Sequence, residues 1–127
     1  MRLLLDTHAF LWFVAGDKRL SPSAQRAMER AGAELVLSAA SVWEMAIKLR
    51  LGRLSLPEPL EIYIAEKMQA GLQLLPVEWE HAARVATLPL HHRDPFDRLL
   101  VCQALVEKLP VVTADAMFHA YGAQVIW

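Results

Sequence analysis

The amino-acid sequence predicts an α/β fold, a three-layer α/β/α sandwich around a mainly parallel sheet, with residues 1–127 forming one domain. Three observations predict it. Short apolar runs alternate with longer helical patterns along the whole chain. The first run, Arg2 to Leu5, is apolar without alternation, as expected of a parallel strand covered on both faces. Helix starts and stops recur between the runs, with a capping residue before and a glycine after.

Taken in order, the Arg2–Leu5 strand ends at Asp6-Thr7, and a helix over about His8 to Ala15 follows, stopped by Gly16. Ser21-Pro22 opens the next helix, a cap followed by a proline whose missing N–H costs nothing there, and it runs to about Ala31 before Gly32. Glu34 to Leu37 is the second strand. Ser38 or Ser41 caps a third helix that carries Trp43, Glu44 and Ile47 and ends at Gly52. The Leu56-Pro57-Glu58-Pro59 stretch is a loop within the domain. Leu60 to Ala70 forms a fourth helix closed by Gly71, Leu72 to Val77 a third strand, and Glu78 to about Leu88 a fifth helix. The sixth helix runs from Pro95 to about Lys108, with Asp94 at its N-cap and Asp97 at its third position. Val111 to Thr113 is the fourth strand, Ala116 to about Tyr121 a helical turn, and Gln124 to Trp127 a last short strand.

With 55% hydrophobic residues in 127, the chain can bury a real core. The formal net charge of -1 excludes a global positive field. Lys18, Arg19, Arg26, Arg30, Lys48, Arg50 and Arg53 nevertheless outnumber the acids of their segment, a local surplus able to attract phosphate. Cys102, the only cysteine, excludes an internal disulfide and fits a reducing cytoplasm; it reads as a small buried side chain. No run is long enough for a membrane span, and the first residues do not make a signal peptide. Met45, Met68 and Met117 read as core filler, and Trp79 and Trp127 as side chains packed on helices.

Four acids stand out: Asp6, Glu44, Asp97 and Asp115. Each has a local use. Asp6 and Asp115 can cap the turns that follow them, Glu44 can pair with Lys48 one helical turn on, and Asp97 suits a helix start. Asp6 and Asp115 also fall just past the carboxyl ends of two strands, where open parallel sheets build their sites. If the four converge, mutual repulsion becomes large: two like charges at 4 Å cost about 4 kcal/mol at an effective dielectric near 20. Such a cluster takes up a proton or holds a cation, and oxygen donors favour a hard ion such as Mg²⁺ or Mn²⁺. His91 and His92 read first as solvent-exposed loop histidines, with a place beside the site as the alternative, His8 as a helix-start residue, and Arg98 as placed either to meet a phosphate or to neutralise the acids.

The segments Leu3-Leu4-Leu5-Asp6-Thr7, Ser41-Val42-Trp43-Glu44, Asp94-Pro95-Phe96-Asp97-Arg98 and Val112-Thr113-Ala114-Asp115, in this order and spacing, resemble a PIN-domain ribonuclease, specifically a VapC-like toxin of a toxin–antitoxin pair. The resemblance covers essentially the whole chain and implies the same fold. It implies that Asp6, Glu44, Asp97 and Asp115 are the metal-binding acids, with Glu44 binding directly or through water. Thr7 and Thr113 match hydroxyls that support the site, and Asp94 is a cap beside it. The implied activity is Mg²⁺-dependent hydrolysis of RNA by a water that the ion activates. The implied partners are a VapB-like antitoxin and a second copy in a homodimer, with Trp12 and Trp43 as interface anchors. The apolar run Phe10 to Val14 is read mainly as a helix wedged in the core, with part of its surface open as a binding patch.

Two other classes fit less well. A haloacid-dehalogenase-like phosphatase needs a second Asp two positions after the first, where this chain has His8. A catalytically inactive PIN-like binding module would be expected to have lost acids, and all four are present.

Overall fold

The computed structural model describes residues 1–127. In chain order the elements are β1 (Arg2–Leu5), α1 (Thr7–Ala15), α2 (Pro22–Glu29), β2 (Glu34–Ser38), α3 (Ala39–Arg50), α4 (Leu60–Gln69), β3 (Gln73–Leu75), α5 (Trp79–Arg84) continued by a 3₁₀ turn (Val85–Thr87), α6 (Pro95–Glu107), β4 (Val111–Val112), α7 (Met117–Ala120) and β5 (Val125–Ile126). The strands form one sheet in the order β3-β2-β1-β4-β5, and every neighbouring pair is parallel. The chain lays down β1, β2 and β3 to one side, then returns to add β4 and β5 on the other. The reversal lies between β1 and β4, the place where open parallel sheets build their sites, at the strands' carboxyl ends.

Strand pleating explains why β1 carries no polar residue after Arg2. Leu3 and Leu5 point into one apolar cluster with Phe10, Leu37, Met45 and Tyr63. Leu4 points into a second cluster with Val36, Leu100, Val101 and Phe118. The sheet is thus covered on both faces, as the unbroken apolar run predicts. Cys102 is fully buried in the second cluster. No helix is long and apolar enough to cross a membrane.

Several boundaries differ from expectation, each for a local reason. Asp6 caps the first helix, so α1 begins at Thr7. Ser38, not Ser41, caps α3. Pro76 follows the short β3, and the expected fifth helix tightens into a 3₁₀ turn after Arg84. Met45 fills the core, but Met68 and Met117 are 48% and 40% exposed and do not. Trp79 is 76% exposed because His81, on the inward side of α5, takes the buried position against Glu107 and Gln103. Trp127 does lie on a helix, 6.0 Å from the Trp12 ring of α1. Phe10 is buried, whereas Leu11 to Val14 are partly covered by the core.

Candidate active site

Asp6 leaves the carboxyl end of β1, where its backbone N–H donates to Val112 of β4 at 3.1 Å. One carboxylate oxygen, Oδ1, accepts the Ala9 N–H at 2.7 Å and caps α1. The other, Oδ2, accepts the Thr113 hydroxyl at 2.5 Å. Burial pushes the Asp6 carboxyl above its ordinary range, against the pull of these two bonds and with a smaller push from Glu44.

Glu44 comes from α3. Its Oε1 accepts the Thr7 hydroxyl at 2.7 Å, and its Oε2 pairs with Lys48 at 2.8 Å. Asp97 enters from the first turn of α6, which Asp94 caps by accepting the Phe96 N–H at 2.9 Å. Burial, chiefly, pushes the Asp97 carboxyl up to about 7; the charges of Asp94, Glu44 and Asp6 add to the push and His92 opposes it. Asp115 follows β4. Its N–H donates to the Thr113 hydroxyl at 3.0 Å, and its Oδ1 accepts the Met117 N–H at 2.9 Å. The local uses foreseen for Asp6, Glu44 and Asp115 are therefore realised, and Glu44 and Asp6 lie close enough to Asp97 for their charges to push its carboxyl up. Thr7 and Thr113 each hold one acid in place, and Thr113 spaces Asp6 from Asp115.

His92 is the correction. It is not a solvent-facing loop residue: its Nε2 lies 2.6 Å from Asp115 Oδ2 and 3.3 Å from Asp97 Oδ2, with the side chain 19% exposed. Ligand atoms of His92, Asp97 and Asp115 all lie within 4.8 Å of one another. His91 stays exposed, its ring edge-on to Tyr121 at 5.0 Å. Arg98 is the second correction. Its guanidinium turns from the acids to the preceding loop, donating to the carbonyls of Leu88, Pro89 and His92 at 3.2, 3.0 and 3.3 Å. Tyr121, which carries no motif, closes the same loop by accepting the N–H groups of His91 and His92 at 3.0 and 2.6 Å.

Beside Glu44, a groove of about 440 Å³ runs between α3 and the start of α6, with Lys48, Arg53 and Arg93 on its walls. Trp43 is 63% exposed at its edge, its ring 5.3 Å from that of Phe96. Trp12, on the other side of α1, stacks on His8 at 5.5 Å and lies under the Arg19 guanidinium at 5.0 Å. Carboxylates grouped beside a groove with cations on its walls can hold a divalent ion and bring a phosphate to it. His8, stacked on Trp12, is close enough to Asp6 for its charge to pull that carboxyl down.

Comparison with known proteins agrees with this architecture. Over 120 residues the chain is 29% identical to Ribonuclease VapC22 of Mycobacterium tuberculosis, covering 94% of this chain and 91% of that one. A shorter match, 46% identical over 50 residues and 39% of this chain, is to Ribonuclease VapC16 of the same organism. The fold is shared with VapBC2 from Rickettsia felis, solved bound to a promoter DNA fragment (TM-score 0.72, 13% identity, 98% of this chain and 97% of that one). VapBC-1 from nontypeable Haemophilus influenzae is similar at TM-score 0.65 and 18% identity, over 98% and 96% of the two chains. The family model for the PIN domain matches residues 3–124, from the first strand to the edge of the last, and this chain belongs to the PIN domain family.

Proposed function

We propose that this chain is a divalent-metal-dependent endoribonuclease, the toxin of a toxin–antitoxin pair. The observation that carries the reading is that Asp6, Glu44, Asp97 and Asp115 come from four separate segments to the same edge of the sheet, where burial and neighbouring acids push the Asp6 and Asp97 carboxyls up. That donor set fits a hard cation, Mg²⁺ or Mn²⁺, with Asp6, Asp97 and Asp115 as direct ligands and Glu44 binding directly or through water. When bound, the ion activates a water for attack on an RNA phosphodiester and offsets charge on the phosphate. The protein's own groups prepare the site. Thr113 and the Ala9 N–H fix the Asp6 carboxylate, Thr7 fixes Glu44, and Lys48 offsets its charge. Arg53 and Arg93, on the groove beside Glu44, are positioned to draw in the RNA backbone.

The names of the relatives support the ribonuclease reading, and the complexes among the fold neighbours support an antitoxin partner of the VapB kind. Trp12 and the exposed Trp43 are the proposed anchors for protein partners, the antitoxin and a second copy of this chain in a homodimer. The test is cleavage of a mixed RNA substrate by purified protein. Cleavage should require Mg²⁺, stop with EDTA, and disappear in Asp6→Asn and Asp97→Asn proteins that keep the parent circular dichroism. Full activity in both variants would refute the assignment.

A further inference from the structure

We infer that His92 is a positioning residue that stands in for the cation: its ring N–H bridges Asp97 and Asp115 and must be displaced from them when a divalent ion enters. The inference rests on the proposed metal site and concerns how the protein holds that site together before the ion arrives.

The ring's hydrogen bonds set its chemistry. Nδ1 accepts the Asp94 N–H at 3.1 Å, so the proton of the neutral ring sits on Nε2. A metal-binding imidazole has the opposite arrangement, donating from the nitrogen that does not touch the metal. In the orientation seen here His92 is a donor to carboxylates and has no lone pair at Nε2 to offer a cation. That donor is aimed at Asp115 Oδ2 at 2.6 Å and Asp97 Oδ2 at 3.3 Å. Asp115 Oδ1 accepts the Met117 N–H, and Oδ2 is held by His92. A cation that draws on Asp115 Oδ2 therefore competes with His92 for it.

The placement is built rather than incidental. Tyr121 accepts the His92 N–H, Arg98 binds the His92 carbonyl and two carbonyls upstream, and Asp94 donates to the ring. The residue that caps α6 thus also fixes the tautomer that bridges the acids. The bridge relieves repulsion between Asp97 and Asp115 and weakens their hold on a metal, because ring and metal compete for the same oxygens.

Manganese titration of the full chain by calorimetry tests this. Losing a hydrogen bond to a charged group predicts about tenfold tighter Mn²⁺ binding by His92→Ala than by the parent. Tyr121→Phe, which loosens the loop and leaves the ring in place, should tighten binding by a smaller factor and decides the matter if the alanine protein does not fold. Nitrogen-15 spectra of the histidines in EDTA should find His92 protonated at Nε2 and bare at Nδ1, and added Mg²⁺ should shift the Nε2 signal. Unchanged or weaker Mn²⁺ binding in folded variants, or a proton on Nδ1, overturns the inference while leaving the metal site standing. Absence of Mn²⁺ binding in parent and variants alike removes the metal assignment, and this inference with it.

Discussion

Replacing Asp97 by asparagine should stabilise the metal-free protein at alkaline pH while abolishing its stabilisation by Mg²⁺. The carboxyl titrates at about 7 instead of its ordinary 3.8 because burial and the neighbouring acids oppose its charge. At about 1.4 kcal/mol per pH unit, holding it ionised at pH 8 costs roughly 4 kcal/mol. The side chain is 29% exposed, so solvent screening reduces this to about 2 kcal/mol. The sign follows from proton binding. Between about pH 4 and 7 the unfolded chain has released this proton while the folded chain retains it, so stability falls as pH rises through that window. The cost is small below about pH 4 and fully present above about pH 7. Asparagine has nearly the same shape and no charge to lose. In EDTA at pH 8 the Asp97→Asn protein should therefore melt higher than the parent by roughly 8 °C, at about 4 °C per kcal/mol for a domain of this size. The difference should shrink as pH falls toward 4. Added Mg²⁺ should raise the melting temperature of the parent and leave the variant nearly unchanged. Thermal melts at both pH values, with and without Mg²⁺, measure all of this. A variant less stable than the parent in EDTA at pH 8, or stabilised equally by Mg²⁺, would refute the argument that the buried charge of Asp97 is what the cation relieves.

Thr113→Val removes the hydroxyl that holds Asp6 Oδ2 and leaves a buried carboxylate short of a partner, which should cost about 1–2 kcal/mol in urea unfolding; a variant as stable as the parent would show that this bond contributes nothing. Leu4→Ala, at a fully buried position in the central strand, should cost about 3 kcal/mol, lowering the urea midpoint without changing the slope. Arg98→Lys cannot serve the three carbonyls of the loop at once, so amide exchange at His91 and His92 should quicken by about tenfold with core amides unaffected. Equal exchange rates would show that Arg98 does not hold the loop.

The order of elements was legible because a parallel sheet demands apolar runs and helices announce their ends. Asp94-Pro95 and Ser21-Pro22 start α6 and α2 where the caps require. The acids were legible too, since Asp6 and Asp115 fall at strand ends by spacing alone. What escaped was the loop before α6. His92 enters the site through contacts with Asp115 and Tyr121, 23 and 29 residues away, and no local period encodes such a meeting. The role of Arg98 was hidden for the same reason: its acceptors are main-chain carbonyls, which every sequence has. Met68, Met117 and Trp79 were misplaced because hydrophobicity biases a side chain inward but does not say which face of a short helix turns there.

The Asp6–Thr113 bond joins residues 107 apart, across a strand pair in which β4 lies beside β1. A ribosome making this chain emits Asp6 almost at once, yet must extend it past Asp115 before the pocket closes. The Asp6 side chain therefore gains its Thr113 partner only late in synthesis, a delay written into strand order alone. A truncation before β4 would leave Asp6 without that bond and one edge of β1 unpaired.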